Sequence, residues 1–145
     1  MYISTSDANS YFEGKFDIRA WVNATEDQRR RAITEAGRLI DSFAYLGSKT
    51  DSDQEHQFPR NGDTTIPTNM TYACAEIAYT ILDGFDIDQH MSQLNLTSQG
   101  FGSARATWSR NDMPEHLKYG IPSLLAYSYM LPYFRRLGEI GVSKV

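Results

Sequence analysis

A small, mainly α-helical bundle of about four helices is the fold class the sequence predicts, with a long loop after the second helix and a short β-hairpin or strand near 97–109. Three observations carry this expectation. Apolar residues recur at spacings of three and four in separate stretches, the period of a helix with one buried face. Hydroxyl and acidic residues precede those stretches and glycines follow them, as helix ends require. The length of 145 residues, with 41% hydrophobic and 22% charged, suits one globular domain able to bury a core.

The first helix is signalled by Ser4-Thr5-Ser6-Asp7, whose side-chain oxygens can take up unpaired N–H groups of a first turn. Tyr11 and Phe12 are its bulky residues and Gly14 its stop, and Trp21 and Val22 follow in a connector that anchors it to the core. The second helix is the clearest. Thr25 and Gln28 fit a capping box, Glu26 and Asp27 suit the positive end of the helix dipole, and Ile33, Ala36, Ile40 and Phe43 form one stripe. Gly47 is expected to end it. From Gly47 to Pro67 no period appears, and a loop of that length in a compact domain is usually functional or mobile. The third helix opens at Ile66-Pro67-Thr68, runs through Met70, Cys74, Ile77 and Ile81, and closes at Gly84. Its Ala73, Ala75 and Ala78 would let another helix approach closely. A further turn or two is expected over Asp86–Leu94. Gly100 and Gly102 then break helix, and Ala104, Ala106 and Trp108 alternate with Arg105 and Thr107 in the pattern of a strand. The last helix begins near Pro114 or Pro122, with Ile121, Leu124, Leu125, Leu131 and Phe134 as its inward stripe and Pro132 as a kink. Residues 1–137 read as a single domain and 138–145 as a tail ordered by a partner.

No converging acid, base or nucleophile is visible, so no enzymatic activity, cofactor or metal is expected. Gly47-Ser48-Lys49-Thr50 lacks the spacing of a phosphate-binding loop and follows a helix rather than a strand. Asp51, Asp53 and Glu55 alternate like the start of a calcium loop, but His56 and Gly62 stand where glycine and glutamate are required. His56, His90 and His116 lie at no ligand spacing, and Cys74, the only cysteine, falls on an apolar helix face. No secretory signal opens the chain, and no membrane association is expected, because Gly120, Pro122, Ser123, Ser128 and Pro132 interrupt the most apolar stretch.

Two binding surfaces remain open. A net charge of −4 gives no reason for strong non-specific DNA binding, yet Arg29, Arg30 and Arg31 form one basic run, and Trp108 beside Arg105 and Arg110 could stack a base. The candidate DNA contacts are therefore Arg29, Arg30, Arg105 and Trp108. The other surface is the last helix, which carries no charged side chain from Tyr119 to Phe134. Tyr127, Tyr129, Met130 and Tyr133 stand off its expected inward stripe. It is either central in its own bundle or covered by another chain, and tyrosine-rich surfaces are common at interfaces.

Leu39-Ile40-Asp41, Gly47-Ser48-Lys49-Thr50-Asp51 and Gln54 leading to Phe58-Pro59-Arg60, with Ile66-Pro67, Ala73, Ala75-Glu76, Ala78, Ser98, Gly100 and Gly102-Ser103, resemble the signature of small tailed-phage head-to-tail connector (adaptor) proteins. Tyr2-Ile3-Ser4, Ala8 and Tyr11-Phe12 also fit, and relatives carry the label of DnaT-like single-stranded-DNA-binding proteins. The resemblance reaches to about Arg136. Tyr45 or Leu46 replaces a tryptophan of the pattern, and His56 a leucine. The resemblance implies a structural virion protein, made in the host cytoplasm and placed in the neck as a homo-oligomeric ring of twelve copies. Its partners would be the portal protein, the next tail component and transient DNA in the lumen. It assigns Tyr133, Phe134, Arg135 and Arg136 to portal docking, and Lys49, Asp51, Phe58, Arg60, Tyr127 and Tyr129 to subunit or tail contacts. The alternative is a single-stranded-DNA-binding module.

Overall fold

The computed structural model describes residues 1–86, 88, 89, 92 and 114–135. Among these, six α-helices are delimited: α1 (Thr5–Phe12), α2 (Arg19–Asn23), α3 (Glu26–Asp41), α4 (Thr68–Leu82), α5 (Glu115–Lys118) and α6 (Leu124–Met130), the last running into a 3-10 turn over Leu131–Tyr133. The described residues hold no β-strand, only isolated antiparallel bridges between Tyr45 and Phe134 and between Lys49 and Arg60.

The helix starts follow from side-chain chemistry. Ser4 Oγ accepts the Asp7 N–H at 3.0 Å to open α1. At α3 the capping box closes in both directions: Thr25 Oγ1 accepts the Gln28 N–H at 3.1 Å, and Gln28 Oε1 accepts the Thr25 N–H at 2.8 Å. Ser123 Oγ accepts the Ala126 N–H at 3.1 Å at the head of α6.

Helix α4 is the centre of the molecule. Met70, Ala73, Cys74, Ala75, Glu76, Ile77 and Ala78 are all buried on it, so it is covered on most sides, and α1, α2, α3 and α6 all touch it. It packs against α3, where Cys74 Sγ reaches the Ile33 carbonyl at 3.6 Å. A further close approach fixes Gly37, where an added Cβ would lie 3.3 Å from the Tyr2 ring.

Several expectations need correction. Helix α3 stops at Asp41 with Ser42 as its cap, well before Gly47. Beyond it Phe43 leaves the helical stripe and packs on Phe134, with ring centroids 5.5 Å apart. Two short helices, α2 and α5, join the four of seven or more residues. Of the two starts expected for the last helix, the one near Pro122 leads into α6, Gly120 at φ +79° sets the short α5 after Pro114 apart from it, and Pro132 ends it in a 3-10 turn as expected. The inward face of α6 is also reversed. Ala126 and Met130 are buried, Tyr127 and Tyr129 are partly covered, and Leu124 and Leu125 are 64% and 46% exposed. The hairpin near 97–109, most of the turn over Asp86–Leu94, and the tail 138–145 lie outside the described residues.

Candidate nucleic-acid interface

The basic run on α3 is not a free patch. Arg29 folds back on α2: its Nε donates to the Trp21 carbonyl at 2.9 Å, its Nη2 donates to the Val22 carbonyl at 3.3 Å, and its guanidinium lies 5.2 Å from the Trp21 ring centroid. Its side chain is only 19% exposed, and it acts as a brace between two helices. Arg30 and Arg31 stay at the surface but share one carboxylate. Arg30 Nη2 meets Asp27 Oδ1 at 2.5 Å and Arg31 Nε meets Asp27 Oδ2 at 2.8 Å. Structure thus brings Arg30 and Arg31 together and removes Arg29, whereas Arg105, Trp108, Arg110 and Arg136 lie outside the described residues.

The long loop is ordered from within. Arg60 is 7% exposed, and its donors end on carbonyls: Nε on Leu46 at 3.0 Å, Nη1 on Gln57 at 3.1 Å, and Nη2 on Gly47 at 2.7 Å and Tyr45 at 3.4 Å. Gln57 Oε1 accepts a further bond from Nη1 at 2.9 Å. Desolvation holds the guanidinium below its ordinary pKa, with Arg135 adding to the effect. Close packing behind this cluster requires Gly47, at φ +75°, because a Cβ there would collide with the Asn61 amide. Phe58, 2% exposed, sets its ring edge-on to Tyr45 at 4.8 Å. Phe58 and Arg60 therefore build the interior of the loop within one subunit. Asp51 is exposed and accepts the Asp53 N–H at 3.0 Å, and Lys49 Nζ reaches the Gln54 carbonyl at 3.5 Å.

Asp41 at the end of α3 ties the same loop to the start of the chain. It accepts the Tyr2 hydroxyl, the Gln57 N–H at 2.9 Å, and an interaction with His56 Nδ1 at 2.7 Å. Burial, reinforced by the Asp41 carboxylate, pushes the Tyr2 phenol well above its ordinary range. This explains His56, which stands where an apolar residue would have had no partner for Asp41.

At the other end, Phe134 is part of the core. It is 3% exposed, stacked on Tyr45 at 5.6 Å and on Tyr119 at 5.3 Å. Backbone bonds clamp it on both sides, Leu46 N to Tyr133 O at 2.8 Å and Arg135 N to Ala44 O at 3.1 Å. Tyr133 is partly buried against Phe58 at 5.5 Å. Of the four residues assigned to portal docking, Arg135 is the one that the described structure leaves exposed. Tyr127 and Tyr129 are half-buried, the latter 5.8 Å from Tyr72.

Two features escaped the sequence reading. Glu76 is 4% exposed on α4 and is matched by Lys15 Nζ at 2.8 Å and the Tyr11 hydroxyl at 2.6 Å, a partnership that no local spacing signals. Phe16 stands fully exposed between α1 and α2, a lone aromatic among Lys15, Asp17 and Arg19 whose outward position only the fold reveals.

Among the described residues no group of three His, Cys, Asp or Glu side chains could hold a metal ion, and no helix is long and apolar enough to cross a membrane. Residues 1–126 match the model of the family described as "Putative DnaT-like ssDNA binding protein". The chain belongs to that family. No curated protein and no solved structure matches it. The match spans α1 through the first turn of α6, so the Arg60 cluster and the Glu76 pairing both lie within this DnaT-like chain's family core.

Proposed function

We propose that the protein is a non-enzymatic module that binds single-stranded DNA. Membership of the DnaT-like family over residues 1–126 is the observation that carries this reading. Arg105, Trp108 and Arg110 are the contacts assigned to it, with Trp108 stacking a base and the arginines meeting phosphates. Helix α3 contributes less than its sequence implied, because Arg29 is spent on α2 and Arg30 shares Asp27 with Arg31. With a net charge of −4 the affinity is expected to be modest and to fall with salt. Fluorescence anisotropy with a labelled oligothymidylate at low salt tests it. Trp108→Ala is expected to weaken binding by about 1–3 kcal/mol, the range for a stacked base, while Arg30→Ala changes it little. Absence of binding at low salt would overturn the reading.

A second reading, the head-to-tail adaptor, rests on the sequence resemblance alone, and one surface feature is compatible with it. Leu124 and Leu125 are adjacent, 64% and 46% exposed, and lie in the charge-free stretch from Tyr119 to Phe134. Apolar residues so placed suit a surface that another chain covers. On this reading copies of the chain, twelve by resemblance, form a ring between a phage portal and the next tail component, and DNA passes through the lumen. Leu124, Leu125 and Arg135 take the docking role first given to Phe134, and Lys49 and Asp51 remain at the loop surface. Electron microscopy of the protein mixed with its portal is expected to show a ring that the Leu124→Glu, Leu125→Glu double variant abolishes. A portal left bare by the unaltered protein would rule the adaptor out.

A further inference from the structure

The link between α1 and α2 carries the most exposed aromatic of the described residues. Phe16 has a relative exposure of 105%, and Val22, 57% exposed, lines the same shallow cavity of about 400 Å³. Arg19 lies on that wall with its side chain 86% exposed, donating to Asp17 from Nε at 3.1 Å and from Nη2 at 2.9 Å. A wider cleft of about 1180 Å³ shares Asp17, Arg19 and Asn23 with it and continues to Gln28 and Arg31. One continuous surface therefore presents a bare ring, an apolar floor beside it and two exposed guanidinium groups further along.

We propose that Phe16 is a stacking platform for a base of single-stranded DNA, with Arg19 and Arg31 exchanging their Asp17 and Asp27 partners for the flanking phosphates along the cleft. This rests on the single-stranded-DNA reading above and adds a site to it on the opposite side of the sequence from Trp108. Exposed aromatic rings beside guanidinium groups are the elements from which sequence-tolerant single-strand sites are built. The charge in the cleft decides which element dominates. Lys15, Arg19 and Arg31 are balanced there by Asp17, Glu35 and Asp83, and each is already engaged, Lys15 by Glu76, Arg19 by Asp17 and Arg31 by Asp27. A neutral cleft exerts little pull on phosphate, so ring stacking supplies most of the affinity and the salt dependence arising from this site is shallow.

Phe16 touches solvent on all sides, so its replacement leaves the fold intact. In the full chain, Phe16→Ala is expected to weaken binding of a labelled oligothymidylate about fivefold or more, and Phe16→Trp to retain it with fluorescence quenched on binding. If the unaltered chain binds and Phe16→Ala binds equally well, the site is wrong while the function stands. If the unaltered chain does not bind at low salt, the function and the site fall together. If Phe16→Ala leaves DNA binding unchanged but lowers the mass seen by sedimentation, the ring is a contact between copies of this chain and the proposal is overturned.

Discussion

At Arg60 a guanidinium is held inside the subunit by carbonyl oxygens of Tyr45, Leu46, Gly47 and Gln57, flanked by the Tyr45 and Phe58 rings at 5.9 and 6.0 Å. No carboxylate among the described residues pairs with it. The planar fork serves several acceptors at once, which an ammonium on a flexible stem cannot do. Arg60→Lys is therefore expected to cost about 2 kcal/mol, read as a lower urea midpoint with unchanged slope, since buried carbonyls lose their donors. The resemblance to a connector signature assigns this residue to subunit or tail contacts, and within the subunit its burial gives it the separate task of holding the loop. A motif preserves spacing whether its arginine faces a partner or its own loop.

Among the elements, α3 was legible because a capping box and a three-four apolar period coincide in it, whereas α1 was marked by its Ser4 cap and α4 by its apolar row after Pro67. Thr25 with Gln28, and Ile33 with Ala36 and Ile40, mark α3 without ambiguity. Its end was not legible, since Phe43 continues the period after the backbone has left the helix. The final segment was misread for a related reason. Helix α6 has only seven residues, and with Leu124 and Leu125 in its first turn two faces look equally apolar. What selects the inward face is the ring cluster of Phe43, Tyr45, Tyr119 and Tyr127 around Phe134, assembled from two distant stretches, 43–45 and 119–134. Phe134→Ala is expected to destabilise the fold by about 3–5 kcal/mol, whereas Arg135→Ala, at an exposed site, shifts the thermal midpoint hardly at all. Of the candidate DNA contacts, the sequence located Arg29 and Arg30 on one helix beside the acids Glu26 and Asp27 that pair with them, but could not reveal that the Trp21 carbonyl would claim Arg29.

For the molecule as a whole, buried acids that ionise late make stability depend on pH. Burial, with Asp41 adding to it, raises the phenols of Tyr2 and Tyr45; burial and Glu76 raise that of Tyr11. Burial, with the Asp41 charge adding to it, pushes the Cys74 thiol up to about 12. These groups keep their protons in the folded chain after an unfolded chain would release them, from about pH 8.5 for a thiol and about pH 10 for a phenol. Folded protein then binds more protons than unfolded, so the slope of unfolding free energy against pH is negative. Their contribution is complete below about pH 8.5 and is lost as pH rises beyond it. Urea midpoints measured across that alkaline range are expected to fall, with phenolate absorbance from these three tyrosines appearing only as the chain unfolds.

The bridge between Tyr45 and Phe134 also bears on where the gene can be trimmed. Family likeness ends at residue 126, yet Met130 and Phe134, a few positions later, are interior plugs. A product stopped at codon 126 would open a hole beneath Tyr45 and leave greasy rings facing water. Any minimal version of this protein must therefore extend at least through Arg135, whatever the boundary of shared ancestry suggests.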